Sequence, residues 1–283
     1  MHPIFYMLEK EFIQHKIVTR LPLFVFLFTI LLIILLSFGV NADVEFSVSS
    51  VGNNEILNLQ KGLITAISFG AMIVSFLLST LYLSKAICSD RVDGSIAFWR
   101  SMPISDFLTQ LTKLGFALLV IPMVCSLLVI SAELFLWLLS MFSPSHVKFL
   151  IGDISLFGIL KSYFSYLINM FIIAIALLPF ACLIFAVSQL SDSPLLITLI
   201  AIYALKIASG LLLPSSGLEQ FFYQFINFPT SLLFSSDPMQ LISQLPILST
   251  VAMYTLGAIF LVVSLSIQKH GELRISGLSL ANK

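Results

Sequence analysis

Charge is what this chain has least of: 14 Lys and Arg and 14 Asp and Glu in 283 residues make 10% charged positions, against 59% hydrophobic ones. Soluble domains carry about 25% charged residues, so an ordinary water-soluble domain is excluded and an all-α integral membrane protein is expected. The formal net charge is zero, and nothing points to a nucleic-acid partner. Cysteine is nearly absent, and Cys88, Cys125 and Cys182 form no close pair. That excludes a disulfide framework or a cysteine metal site and leaves three packing residues.

Catalytic signatures are missing too. His2, His15, His146 and His270 are scattered, without the His-Glu-x-x-His spacing that a metallohydrolase needs, and there is no Ser-centred nucleophile elbow. No Gly-x-x-x-x-Gly-Lys-[Ser/Thr] loop is present to cradle a nucleotide. The chain is therefore expected not to be an enzyme, with no catalytic residue, bound cofactor or metal ligand assigned.

What the sequence does have is long apolar runs. A helix crosses the hydrocarbon core with about 20 apolar residues, which places spans at about 21–40, 62–84, 114–141, 162–187, 194–213 and 246–267 in a single transmembrane domain 1–283. With six spans both termini share one side, together with Lys10, Lys16, Arg20, Lys85, Arg91, Arg100, Lys113, Lys269, Arg274 and Lys283; the other side has Lys61, Lys148 and Lys161. The positive-inside rule puts both termini in the cytoplasm and the acidic stretch around Asp43, Glu45 and Glu55 outside. A secretory signal ending near Val40-Asn41-Ala42 is the competing reading, disfavoured because the apolar run exceeds the ~7–15 residues of a signal core.

Residues 1–20 read as an interfacial helix, with Ile4, Phe5, Leu8 and Phe12 toward one side and Glu9, Lys10 and Gln14 toward another. They read equally as the flank of the first span. Residues 214–245 are too apolar for a free loop yet carry Pro214, Pro229 and Pro238. Two short helices dipping into the outer interface are expected, rather than a further span.

Two charges fall inside spans, Glu133 and Lys206. Such charges cost at least a few kcal/mol and usually have a reason. A mutual ion pair across the bundle or a dimer interface is the favoured reading, ahead of a substrate-facing charge and of snorkelling. Pro122 and Pro179 also lie within spans, as hinges or as static kinks.

The polar interruption between the second and third spans is the most informative stretch. Ser89 or Asp90 can cap a short helix that Pro103 stops, and Ser105 can cap the next. Val92, Ile96 and Trp99 recur at helical steps, widened by Phe98 and Met102, so an aromatic stripe stands beside Arg91 and Arg100. That stripe serves either to dock a partner protein or to anchor at the membrane interface.

The string Asp90-Arg91-x-x-Gly94-Ser95-Ile96-x-x-Trp99-x-Ser101-x-Pro103-Ile104-Ser105 resembles the cytoplasmic loop of type-2 ABC transporter permeases, which has Glu-Arg-x-x-Gly-Thr, an apolar pair, and Pro-apolar-[Ser/Thr]. Here Asp90 stands for Glu, Ser95 for Thr, and Phe98-Trp99 for leucines. The resemblance implies six spans, an N-terminal interfacial helix, a coupling helix between spans 2 and 3, and an external helical hairpin between spans 5 and 6. It implies that Asp90, Arg91, Gly94, Ser95, Ile96, Phe98, Trp99 and Pro103 engage a separate ATP-binding subunit, where ATP and Mg2+ are handled. It implies an exporter in a bacterial inner membrane, working beside a second copy or a sister permease. A self-contained secondary carrier and a membrane scaffold are the alternatives.

Overall fold

The computed structural model describes residues 3–39, 53–88, 105–142, 155–191, 193–212, 218–235, 238–243 and 246–270. These are almost wholly helical, with no strand among them. The helices are α1 Pro3–Gln14, α2 Ile17–Gly39, α3 Asn53–Ala86, α4 Asp106–Gly115, α5 Ile121–Phe142, α6 Leu156–Ser188, α7 Pro194–Leu212, α8 Leu218–Phe234, α9 Pro238–Ser243 and α10 Ile247–His270, with a π turn, Phe116–Val120, joining α4 to α5.

Four helical stretches are long and apolar enough to cross a membrane: Ile64–Ala86, Asp106–Met141, Leu156–Ser188 and Ile247–Gln268. Arg20–Leu31 and Pro194–Ala208 are shorter apolar helices. Their outer faces suit a bilayer. Along α6 the exposed side chains Phe157, Leu160, Phe164, Ile168, Phe171, Ile175 and Leu178 recur every three or four residues, an apolar stripe that water would penalise.

Helix limits follow local chemistry. Ser105 has extended backbone and its Oγ accepts from the Leu108 N–H at 3.3 Å, the cap expected there, with Asp106 in the positive first turn. Proline opens α7 and α9, where its missing N–H costs nothing.

The stretches expected as spans from 62, 114 and 162 lie in helices that begin earlier, at Asn53, Asp106 and Leu156, because polar residues extend a helix beyond its apolar portion. Pro229 does not break the helix it lies in: α8 continues from Leu218 to Phe234 through it. Residues 1–20 are not one helix, since His15 and Lys16 form a turn between α1 and α2. On α1, Phe5 and Tyr6 are exposed, while Met7 and Glu11 are buried.

The chain divides into two compact units. One comprises Met1–Glu11, Leu78–Leu119 and Phe171–Lys283; the other comprises Phe12–Leu77 and Val120–Met170. The first has a core that includes Leu78, Leu83, Phe116, Ala117 and Met253, with α7 packed on α8 and α4 on α10. In the second, α2 packs along α5, and Ile121, Val129 and Ala132 are fully buried.

Proline sites show how this fold handles freed backbone groups. Pro179 of α6 has no N–H for the Ile175 carbonyl, and Tyr254 Oη of α10 donates to that carbonyl at 3.1 Å. One turn on, Gly257 lies against Pro179 so closely that an added Cβ would sit 2.9 Å from Pro179 Cα. Ahead of Pro122 the backbone re-registers into the π turn, and Ser79 Oγ donates to the Ala117 carbonyl within it at 2.7 Å. With those carbonyls satisfied from neighbouring helices, both sites are built as packed joints.

Candidate functional site: a buried polar junction at the ends of the interruption

Asp90, Arg91, Gly94, Ser95, Ile96, Phe98, Trp99 and Pro103 lie outside the described residues. What the structure describes is the framework on either side of them: the end of α3 and the start of α4.

Glu11 of α1 is 3% exposed and Lys113 of α4 equally buried, with Lys113 Nζ 3.7 Å from Glu11 Oε1. The other carboxylate oxygen, Oε2, accepts from Tyr82 Oη of α3 at 2.7 Å. Lys113 Nζ also donates to the Ala86 carbonyl in the last turn of α3. The last turn of a helix leaves carbonyls without partners and carries partial negative charge, so an ammonium fits there electrostatically. Tyr82 is held by Phe116 beneath it, ring centroids 4.8 Å apart. One ion pair thus ties α1, α3 and α4 together.

A second group adjoins on α4. Gln110, 2% exposed, donates through Nε2 to Ser264 Oγ at 3.0 Å and to Gln268 Oε1 at 2.6 Å, both on α10. Gln268 Nε2 in turn reaches Asp106 Oδ1 at 3.4 Å. Ser188, at the end of α6, donates to the Ser84 carbonyl near the end of α3 at 3.5 Å. Four helix ends and α1 therefore meet through polar contacts rather than through apolar packing alone. Breaking one partner of a buried ion pair typically costs about 3–5 kcal/mol, so these ends are held as a body.

Sequence reading missed the heart of this junction. Lys113 was counted only as a cytoplasmic flank, and Glu11 sat among Glu9, Lys10 and Gln14 with nothing local to distinguish it. The local signal available was its position one helical turn after Met7, which is also buried.

Glu133 and Lys206, the two charges read within apolar runs, belong to different units. Lys206, in the first unit, has its Nζ 4.8 Å from the centroid of the Tyr223 ring of α8, a cation–π contact. Glu133, in the second, is wholly buried and accepts from Ser162 Oγ of α6 at 2.5 Å. No group of three or more metal-ligating side chains occurs among the described residues. Compared with family models, with curated proteins and with solved structures, the chain matches none.

Proposed function

We propose that the chain is the membrane-spanning permease subunit of an ATP-driven exporter of the type-2 ABC class, coupled to a separate ATP-binding subunit. The observation that carries this reading is the sequence segment Asp90 to Ser105, an aromatic-bearing polar stretch between two apolar runs with the Asp-Arg-x-x-Gly-Ser and Pro-Ile-Ser pattern. The junction supports it from the other side. A segment that receives force must be mounted on something stiff, and the helix ends that flank it share the buried Glu11–Lys113 pair and the Gln110 network.

In this reading all six apolar segments cross the membrane, both termini and the Asp90 to Ser105 segment are cytoplasmic, and α8 with α9 forms the external hairpin between the last two spans. Phe98 and Trp99 insert into a groove on the ATP-binding subunit. Closure of two such subunits on ATP draws two coupling segments together. The displacement passes through α3 and α4 as a rigid pair and reaches α1, α6 and α10 through the junction. Work is transferred by contacts, and hydrolysis with its Mg2+ stays on the partner.

The test is to purify the tagged chain in mild detergent and identify what accompanies it stoichiometrically. A phosphate-loop ATPase that is lost from the Phe98→Ala, Trp99→Ala double variant supports the reading. A lone protein without ATPase activity returns the secondary carrier and the scaffold to the front.

A further inference from the structure

We propose that Lys16 and Arg20 form a binding site for one anionic phospholipid on the outer face of α2. The site lies wholly within the second unit, which holds Phe12–Leu77. There α2 packs along α5, and Val18 and Pro22 are buried. The other side of the helix is uncovered. Ile17, Leu23, Phe24, Leu27, Phe28 and Leu31 are each more than half exposed, and with Arg20 among them they recur at steps of three and four.

Two cations stand at the head of this stripe. The Arg20 N–H donates to the Lys16 carbonyl at 3.0 Å, so Lys16 is already in helical register, one turn ahead of Arg20. Residues so spaced are neighbours on one face, and both side chains are exposed. A cationic patch is thus followed directly by an uncovered apolar one.

The helix supplies no counter-charge of its own. From Phe12 to Ala42 the sequence contains no Asp or Glu, and among the described residues the Arg20 guanidinium makes no ion pair. Like charges one turn apart repel each other. An anion held between them removes that repulsion and satisfies the guanidinium.

Charge and length select the occupant. The planar guanidinium meets phosphate oxygens bidentately, and the lysine adds a second point charge. Leu31 lies 11 residues beyond Arg20, about 16 Å at about 1.5 Å per residue, which is the depth of one leaflet of a hydrocarbon core about 30 Å thick. A phosphate at the cations therefore lays its acyl chains along Phe24, Leu27, Phe28 and Leu31. A zwitterionic lipid brings its own ammonium to Lys16 and Arg20, whereas an anionic one does not. A second copy docked by this face across a two-fold axis along the membrane normal would set Arg20 against Arg20, and like charges opposed in an interface are penalised. The site rests on the part of the proposed reading that puts α2 in the bilayer; it needs no ATP-binding partner.

Binding is measured on the full chain in mild detergent by native mass spectrometry, with phosphatidylglycerol and with phosphatidylcholine of the same acyl chains. One tightly held phosphatidylglycerol is expected, weakened about fivefold for each charge removed in Arg20→Gln and in the Lys16→Gln, Arg20→Gln double variant. Lys161→Gln, at an exposed lysine of α6, should leave it in place, and inorganic phosphate should not displace it. Equal retention of phosphatidylcholine, undiminished binding by the double variant, an equal loss in Lys161→Gln or displacement by inorganic phosphate overturns the site. So do disulfide-linked dimers of Phe24→Cys that the unaltered chain does not form, which would give this face to a second copy. Each variant is checked for monodisperse elution, and the headgroup comparison on the unaltered chain stands if one fails to fold. Phe28→Cys in vesicles separates the two ways of failing. If it is protected from a membrane-impermeant maleimide while no headgroup is preferred, the lipid site alone falls; if it is labelled, the placing of α2 in the bilayer falls with it.

Discussion

Tyr254 of α10 donates to the carbonyl of Ile175 in α6, the one backbone acceptor that Pro179 leaves without its usual N–H partner. Together with Gly257 pressed on Pro179, this makes the kink a two-helix device. A proline kink repaired by its neighbour is a fixed shape; one left open to the bilayer would be the better hinge.

Tyr254→Phe should therefore cost about 1 kcal/mol, the net worth of an ordinary hydrogen bond at this exposed contact, read as a lower midpoint of thermal unfolding in detergent. In a Pro179→Ala background, where the helix supplies its own N–H, the same change should cost far less. Equal costs in both backgrounds would show that Tyr254 acts by packing alone. Gly257→Ala should destabilise more than Tyr254→Phe, because the opposing atom is backbone Cα and only separation of the helices relieves the contact.

Removing either charge of the Glu11–Lys113 pair should be severe and removing both should not. Glu11→Gln or Lys113→Gln singly is expected to cost about 3–5 kcal/mol, since a buried charge is left uncompensated. The double variant keeps hydrogen-bonding groups for Tyr82 and the Ala86 carbonyl and should recover much of that loss. Additive losses would mean that the two residues do not act as a pair.

Ser105→Ala should cost about 1 kcal/mol and Ser105→Asp little, because the position caps the first turn of α4. Cysteine accessibility at the adjoining exposed Phe107, introduced by Phe107→Cys, would report any fraying that follows.

Much of the fold was legible because long apolar runs favour helices: the apolar runs became helices, and Ser105, Pro194 and the aromatic stretch after Pro214 marked starts that the structure keeps. The errors share a physical origin. Phe5 and Leu8 were legible as apolar positions on one side of α1, but nothing in that pattern announced that the buried side of the helix carries Glu11. Glu11, Tyr82 and Lys113 are far apart in sequence, and nothing local to any of them announces the others. Glu133 was visible as a charge in a span; Ser68 and Ser162, small polar residues of a common kind, were not visible as its neighbours. Pro122 and Pro179 were legible as kinks, while Ser79 and Tyr254, which complete them, were not.

The most direct test of the proposed function is the ATPase activity of the purified complex, measured with the unaltered chain and with Phe98→Ala, Trp99→Ala. Coupling through the Asp90 to Ser105 segment requires that the double variant remain a folded membrane protein while losing its stoichiometric ATPase and the activity that comes with it. Undiminished association and fully coupled hydrolysis in the double variant would contradict that role for Phe98 and Trp99, and with it the reading of this chain as a permease driven through that segment.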